Sequence, residues 1–484
     1  MVPLMMKIKL QSIMRGFPRG LARAIAMGSL AMGMGWPVQA ATSSPNFIVI
    51  LTDDHGWTST STRMDKSLPT SASDYQETPN IDRLAKGGMR FSQGYSPAAI
   101  CTPSRRSILF GQTQLRMGPD DGFDVRYDPV KKGFLTIPLM LKQTDARYRA
   151  AHFGKWHQKT GEFSPEDFGF DQSDGRTSNG DGSIWEDKED KWKKTFLVDS
   201  PKNIDRLTGR GASFIRRNVQ SGNPFYLQIS HYATHVDIQT KPETYAHFSD
   251  KPRGRTHDHP GYAGMLADLD TGVGMILDEV ERLGIADNTY ILIMADNGGA
   301  EFIPPAGNKL APPGTNGRPS RNDPLRGGKW VLYEGGVRVP FVMKGPGIAA
   351  DSQSDIPVIG YDLLPSFAEL AGYPKPMPAY VDGGSFAGLL DDGLGEVSRP
   401  SNALFYHRYA SYLHSSIRVG DYKLLKFWHD HPDHAEGIEL FDLSKDLGET
   451  TDLAAKMPAK AKALEQQLLD YIASVNGNVT GKLK

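Results

Sequence analysis

The chain runs to 484 residues with 55 Lys+Arg against 56 Asp+Glu, a net charge of −1, and 39% hydrophobic and 23% charged residues. That balance excludes a globally basic nucleic-acid binder, and the ordinary apolar content excludes a disordered or collagenous chain. The length is ample for a substantial core and points to one large domain with an appendage, or to two or three domains.

At the N-terminus, Lys7, Lys9, Arg15, Arg19 and Arg23 precede or enter an apolar stretch from Leu21 to Val38, which closes in Val38-Gln39-Ala40. Basic residues, a short apolar run and a small-residue cleavage pattern make residues 1–40 a secretory signal peptide, with a retained membrane anchor as the alternative. The stretch is short and glycine-rich for a span, and no cysteine near the cleavage site offers a point for lipid attachment. The remainder has no apolar run of about 18 residues, so no stable membrane insertion is expected. The expected location is periplasmic or secreted.

Further along, Phe47 to Leu51 is a continuous apolar run that ends at Asp53-Asp54. Next comes Cys101-Thr102-Pro103-Ser104-Arg105, headed by the only cysteine of the chain, which leaves no partner for an intramolecular disulfide. Thr102 as N-cap and Pro103 as first helical residue predict a short helix from Ser104 to Phe110, closed by Gly111. Cys101 then lies at a helix N-terminus, where exposed N–H groups favour an anionic atom. Ala150 to Phe153 runs into Lys155 and His157, and Ser173 to Lys194 reads as a loop. Phe225 to Ile229 runs into His231 and His235. Apolar residues at three- and four-residue steps from Tyr262 to Leu283, followed by Gly284, predict a long helix. Tyr290 to Met294 runs into Asp296 and Asn297, and the Pro-, Gly- and Asn-rich stretch from Ala306 to Asp323 reads as a long loop.

Continuous apolar runs of this kind are strands buried on both faces, the signature of a parallel sheet flanked by helices. The class is α/β, and in open α/β sheets the ligand sits beyond the carboxyl ends of the strands, where these polar residues converge. From about Ser401 the texture changes to hairpin-like strands, Ile417 to Leu425 and Glu439 to Leu443. A terminal helix from Ala459 to Val475 follows, with Ala463, Leu464, Leu468, Leu469 and Ile472 on its buried face. The expected organisation is a signal peptide (1–40), a catalytic α/β domain (41–400) and a C-terminal α+β subdomain (401–484).

Asp53, Asp54, Asp296 and Asn297 offer only oxygen ligands, which suits a hard divalent ion such as Ca²⁺ or Mg²⁺ rather than Zn²⁺. The Cys101–Arg105 pentapeptide occurs together with Asp53-Asp54, Gly154-Lys155-Trp156-His157, His235, Asp296-Asn297-Gly298-Gly299, Gly328-Lys329 and Glu334-Gly335-Gly336-Val337-Arg338-Val339-Pro340. In this order and from about Asn46 to the terminal helix, the chain resembles the formylglycine-dependent sulfatases of the alkaline-phosphatase superfamily. One departure is Leu109-Phe110-Gly111-Gln112, where that family often continues with Leu-Thr-Gly-Arg.

The resemblance implies an alkaline-phosphatase-like sandwich around a large mixed sheet, with a smaller C-terminal antiparallel sheet plus helix. It implies that a formylglycine-generating maturation enzyme converts Cys101 to Cα-formylglycine, whose hydrate binds the metal and attacks sulfur. The metal it implies is one Ca²⁺, with Mg²⁺ as the alternative, held by Asp53, Asp54, Asp296, Asn297 and the modified Cys101. A sulfate ester is anionic and repels nucleophiles, so its charge must be neutralised and its sulfur held in line. By resemblance Lys155 and Lys329 clamp the sulfate oxygens and Arg105 holds the formylglycine hydrate and the charge of the metal site. His157 takes the proton of the second diol oxygen to restore the aldehyde. His235 protonates the leaving alcohol, with His231 as its rival.

The expected substrate is a sulfated carbohydrate or polysaccharide, such as an algal galactan of the carrageenan type. Trp185 and Trp192 in the loops, and His407, Arg408, His429, His431 and His434 in the C-terminal unit, are its candidate contacts. An arylsulfatase acting on phenolic sulfates, or a phosphonate or phosphodiester hydrolase of the same superfamily, is the alternative.

Overall fold

Four apolar runs lie side by side in the middle of a computed structural model that describes residues 44–119, 132–159, 163–184, 194–300, 321–409, 413–430, 435–477 and 479. Residues 1–40, expected to be a signal peptide, and Trp185, Trp192, His431, His434 and most of the Ala306–Asp323 stretch lie outside the described residues. The main sheet has eight strands, in the order Ser352–Ser354, Met89–Phe91, Phe341–Lys344, Thr289–Ala295, Asn46–Thr52, Phe225–Ser230, Arg149–Gly154 and Gln172–Ser173. Asn46–Thr52 pairs in parallel with Thr289–Ala295 on one side and Phe225–Ser230 on the other, and the latter pairs in parallel with Arg149–Gly154. Four carboxyl ends therefore line up, and the residues that follow them are Asp53, Asp296, His231 and Lys155. The sheet is mixed because Phe341–Lys344 runs antiparallel to both of its neighbours.

Both faces of the sheet are covered, which is why its strands read as unbroken apolar runs. Phe47, Val49 and Leu51 pack into one core with Ile137, Met140 and Phe367, while Ile48 and Ile50 point to the opposite core with Leu84, Phe214 and Ile276. The period-two alternation of a strand thus feeds two helical layers, an α/β sandwich as expected. The long helix is Pro260–Arg282, opened by the His259 ring accepting the Tyr262 N–H at 3.1 Å and followed by Gly284.

Three local expectations change. The helix that carries the pentapeptide is Cys101–Phe110, with Ile100 rather than Thr102 at its N-cap and no side-chain cap. Pro103 costs nothing there, because N–H groups of a first turn are unpaired in any case, and all ten residues are buried, so packing sets the start. Gly111 closes this helix in the left-handed region at φ 66°. Within the stretch read as a loop, Ser173 ends the Gln172–Ser173 strand and Asn179–Gly182 forms a single turn, where Ser178 and Asp181 cap each other. The terminal helix is Pro458–Ser474 and buries Ala461, Leu464, Leu468 and Ile472. Ala463 is exposed and Leu469 half-buried, because only the 461-464-468-472 spacing stays on one helical face.

A second, four-stranded antiparallel sheet takes its strands in chain order, Leu404–Arg408, His414–Val419, Tyr422–Phe427 and Gly437–Asp442. One face packs on the terminal helix through Phe405, Ile417, Leu424 and Leu440. Its other face shares a core with Tyr95, Leu332, Tyr333 and Val337 of the main body. Beneath that core Lys423 Nζ lies 2.9 Å from Glu334 Oε1 and 2.9 Å from Glu449 Oε1. Tyr95 Oη and Arg338 Nε each donate to Glu334 Oε2 at 2.7 Å. Burial alone would raise the Glu334 pKa, but Lys423 and Arg338 hold it well below the usual carboxylate range. Burial and the neighbouring Glu334 push Glu449 up to about 7, against the pull of Lys423. Lys423→Met strands two buried carboxylates without their shared cation and should cost about 3–5 kcal/mol of stability. An unchanged midpoint in chemical denaturation would refute that.

Candidate active site

The site is assembled at the carboxyl ends of the parallel strands by three kinds of segment. Strand ends supply Asp53, Asp54, Lys155, Asp296 and Asn297, the buried helix supplies Cys101 and Arg105, and two loops supply His235 and Lys329. The loop after Phe225–Ser230 is tied down by Asp53 N–H donating to Ala233 O at 2.9 Å and Thr234 N–H donating to Asp53 O at 2.6 Å. The Lys329 loop is held by Lys329 N–H to Gly299 O at 3.0 Å and Gly298 N–H to Gly336 O at 3.0 Å. Here backbones touch: a Cβ on Gly298 would lie 1.9 Å from Gly335 O, and one on Gly336 1.9 Å from Val331 O. Both glycine-rich blocks read from the sequence are therefore places where chains must pass without side chains.

Asp53, Asp54, Cys101 and Asp296 each offer one ligand atom, and these atoms lie within 4.8 Å of one another. The Cys101 thiol faces Asp53 Oδ1 at 3.4 Å and Asp54 Oδ1 at 3.9 Å. The Asn297 amide donates to Asp54 Oδ1 at 2.8 Å and to Gly298 O at 2.9 Å, which orients it, and its Oδ1 is buried with no hydrogen-bond partner among the described residues. A buried carbonyl oxygen without a donor beside three carboxylates is what a hard cation satisfies, so the residues present fit Ca²⁺ or Mg²⁺. Sulfur is the odd member of this set, because a soft ligand is mismatched to a site of carboxylate and amide oxygens.

Three buried cations face the three carboxylates. Arg105 Nε and Nη2 both reach Asp296 Oδ2 at 2.7 Å, and its Nη1 donates to Lys155 O at 2.6 Å. Lys155 Nζ donates to Asp53 Oδ2, and Lys329 Nζ donates to Asp54 Oδ2 at 2.7 Å. An ammonium has three donors, so each lysine retains two for another oxygen ligand. Burial alone would raise Asp53, but Lys155, His235 and Arg105 hold it well below the usual range. Asp296 is pushed up to about 7 by burial and by Asp53 and Asp54, despite Arg105. Burial and the Asp53 carboxylate push the Cys101 thiol up, against the two lysines.

The histidines separate clearly. His235 Nε2 lies 3.8 Å from Asp54 Oδ2. Its Nδ1 is 2.6 Å from Val236 O; a carbonyl only accepts, so Nδ1 carries the hydrogen. Burial, Lys329 and Lys155 lower its pKa well below the usual imidazole value. His231 is buried against the long helix, where a Cβ on Gly272 would lie 3.8 Å from its Cε1, and burial lowers its pKa to about 4. His157 has φ 45°, and burial, Lys155 and Arg105 lower its pKa to about 2, which favours the neutral imidazole. Among the C-terminal candidates, His407 is buried with its Nδ1 2.8 Å from Ser415 Oγ inside the small sheet, Arg408 is buried, and His429 is exposed. Sequence reasoning missed Lys202 and Asp237, a buried pair at 2.7 Å behind the His235 loop. Neither lies in a periodic pattern or at a strand end, so no local signal marks them.

The sulfatase family profile matches residues 45–373, and that of N-sulphoglucosamine sulphohydrolase, C-terminal, matches residues 328–476. A sulfatase of Formosa agariphila is 29% identical over 91% of this chain and 88% of its own length. Arylsulfatase A of Homo sapiens is 30% identical over 94% of this chain and 91% of its own. The crystal structure of Ps i-CgsB in complex with k-i-k-neocarrahexaose superposes with a TM-score of 0.69 at 24% identity, covering 89% of this chain and 93% of that one. With well over half of its length matched by one family and a relative 30% identical over most of both chains, the chain belongs to the sulfatase family of the alkaline-phosphatase superfamily and is a sulfuric ester hydrolase.

Proposed function

We propose that the protein removes sulfate from a sulfated carbohydrate, with Cys101 converted to Cα-formylglycine by a maturation enzyme and one Ca²⁺ held by Asp53, Asp54, Asp296 and Asn297. The observation that carries the reading is the position of Cys101, its sulfur 3.4 Å from Asp53 Oδ1 inside an otherwise all-oxygen donor set. An oxygen nucleophile in place of that sulfur suits both the metal and the chemistry. When present, the hydrated aldehyde supplies that oxygen and the divalent ion supplies charge that offsets repulsion between two anions.

The chain's own residues do the rest. Lys155 and Lys329 bind the sulfate oxygens with the donors they do not spend on Asp53 and Asp54. Arg105 is a positioning residue, donating to Asp296 from Nε with Nη2 in ion-pair range of the same oxygen, while Nη1 donates to the Lys155 carbonyl. His157, two residues beyond Lys155 and within electrostatic reach of Asp53 and His235, is assigned by the family resemblance the role of accepting a proton from the nucleophile. His235 gives a proton to the departing oxygen from Nε2, since Nδ1 is engaged with Val236 O. In the free enzyme burial, then Lys329 and Lys155, oppose its protonation; the negative charge of a bound sulfate acts in the opposite direction.

A sugar substrate is supported by the match of residues 328–476 to a profile named for a sulphoglucosamine hydrolase, and by the carrageenan oligosaccharide bound to the Ps i-CgsB fold neighbour. The 30% identity to arylsulfatase A favours phenolic sulfates as the second reading. Desulfation of a panel of defined sulfated oligosaccharides beside an aryl sulfate and a phosphodiester separates them. Turnover of the aryl sulfate alone would overturn the carbohydrate reading, and a faster phosphodiester reaction would overturn both.

Asp296→Ala removes one metal ligand and the anchor of Arg105 together. It should reduce bound calcium in elemental analysis from one equivalent to near none and activity by at least about 10²-fold. Stoichiometric zinc in the native protein, or full activity after exhaustive chelation, would refute the assignment.

A further inference from the structure

We propose that the buried Lys202–Asp237 ion pair is a positioning device for the site, holding the His235 loop at the distance from which His235 can reach the leaving oxygen. The inference rests on the reading of His235 as proton donor. Lys202 is 1% and Asp237 0% exposed, and Lys202 Nζ lies 2.7 Å from Asp237 Oδ1. Two fully buried charges are costly to desolvate and are a weak source of stability. What this pair does is join three segments.

Asp237 stands two residues beyond His235. Its Oδ1 also accepts from Gln239 Nε2 at 3.1 Å, and its Oδ2 accepts from Ile184 N–H at 3.3 Å. Gln239 in turn accepts the Lys202 N–H at 2.9 Å and donates to Gly182 O at 2.9 Å. Lys202 and Asn203, both in the left-handed region at φ 51° and 56°, turn the chain inward just ahead of the helix Ile204–Gln220. The far end of the His235 loop is thereby fixed to that helix start and to the 182–184 segment. The near end is fixed to the metal strand by the Thr234 and Asp53 hydrogen bonds. With both ends held, His235 cannot drift without breaking buried hydrogen bonds, and the Lys202 charge is close enough to contribute to the electrostatics of His235 and Asp53.

Removing both charges at once tests this. Lys202→Met with Asp237→Leu leaves no uncompensated buried charge, so the double variant should melt near the native temperature. A displaced acid hurts a poor leaving group most, because a misplacement of about 1 Å costs on the order of 10²-fold. The double variant should therefore lose about 10²-fold in kcat on a sugar sulfate, several times more than on an aryl sulfate, with KM changing little. Asp237→Asn, which retains the side-chain shape, should show the same selectivity to a smaller degree and serves if the double variant does not fold. Equal losses on both substrates in a folded variant, or losses confined to KM, would overturn the proposal. His235→Ala run in parallel separates the two ideas. If it shows no leaving-group selectivity, the proton-donor reading itself fails; if it does and the Lys202 and Asp237 variants do not, only the positioning role fails.

Discussion

Replacing Cys101 with alanine should abolish sulfate-ester hydrolysis while leaving the protein folded and able to bind calcium through its four oxygen ligands. The loss should be on the order of 10⁴-fold or more, as expected where a nucleophile acts as one unit with its activating groups. Cys101 lies at the first residue of a wholly buried helix, facing Asp53 and Asp54, with Arg105 one turn on and bound to Asp296. Alanine retains the helix and deletes only the reacting atom. Peptide mass spectrometry adds an independent arm. Protein made with a formylglycine-generating enzyme should carry an aldehyde at residue 101, and activity should follow the aldehyde fraction. Full activity from protein holding only the unmodified thiol would sink the assignment. Residual turnover in Cys101→Ala above that of chelated protein would do the same.

How much of this was legible in the sequence follows from how local each signal is. The strands were legible because burial on both faces leaves unbroken apolar runs, and each ends at its polar residue, Asp53, Lys155, His231 or Asp296. The glycine blocks at Gly298 and Gly336 were legible as motifs, though only the structure shows that Gly298 is pressed against Gly335 O and hydrogen-bonded to Gly336 O, while Gly336 is pressed against Val331 O. The start of the Cys101 helix was misread because Thr-Pro is a local capping signal, and tertiary packing of ten buried residues outweighed it. Lys423, Glu334 and Glu449 gave no sign of forming one buried network, since partners separated by tens of residues leave no spacing to read. Lys202 and Asp237 were invisible for the same reason. The sequence prefers His235 to His231 on the family resemblance alone, and the structure adds where each ring lies. Both follow the same strand, yet one turns into the helical layer and the other toward Asp54.

That choice gives the second large expected effect. His235→Ala should slow desulfation of a sugar by about 10² to 10⁴-fold, the usual contribution of a positioned general acid. On an activated aryl sulfate, whose phenolate departs without a proton, the loss should be far smaller. The geometry supplies the reason. Nδ1 is engaged with Val236 O at 2.6 Å, which leaves Nε2 as the nitrogen directed toward the carboxylate and lysine cluster, 3.8 Å from Asp54 Oδ2. His231→Ala is the control, because His231 lies against the long helix and should affect both substrates through stability alone. Comparing kcat/KM for the two substrates in the two variants decides the matter. A selective loss on the sugar sulfate in His231→Ala, or equal losses on both substrates in His235→Ala, would transfer the proton-donor role away from His235.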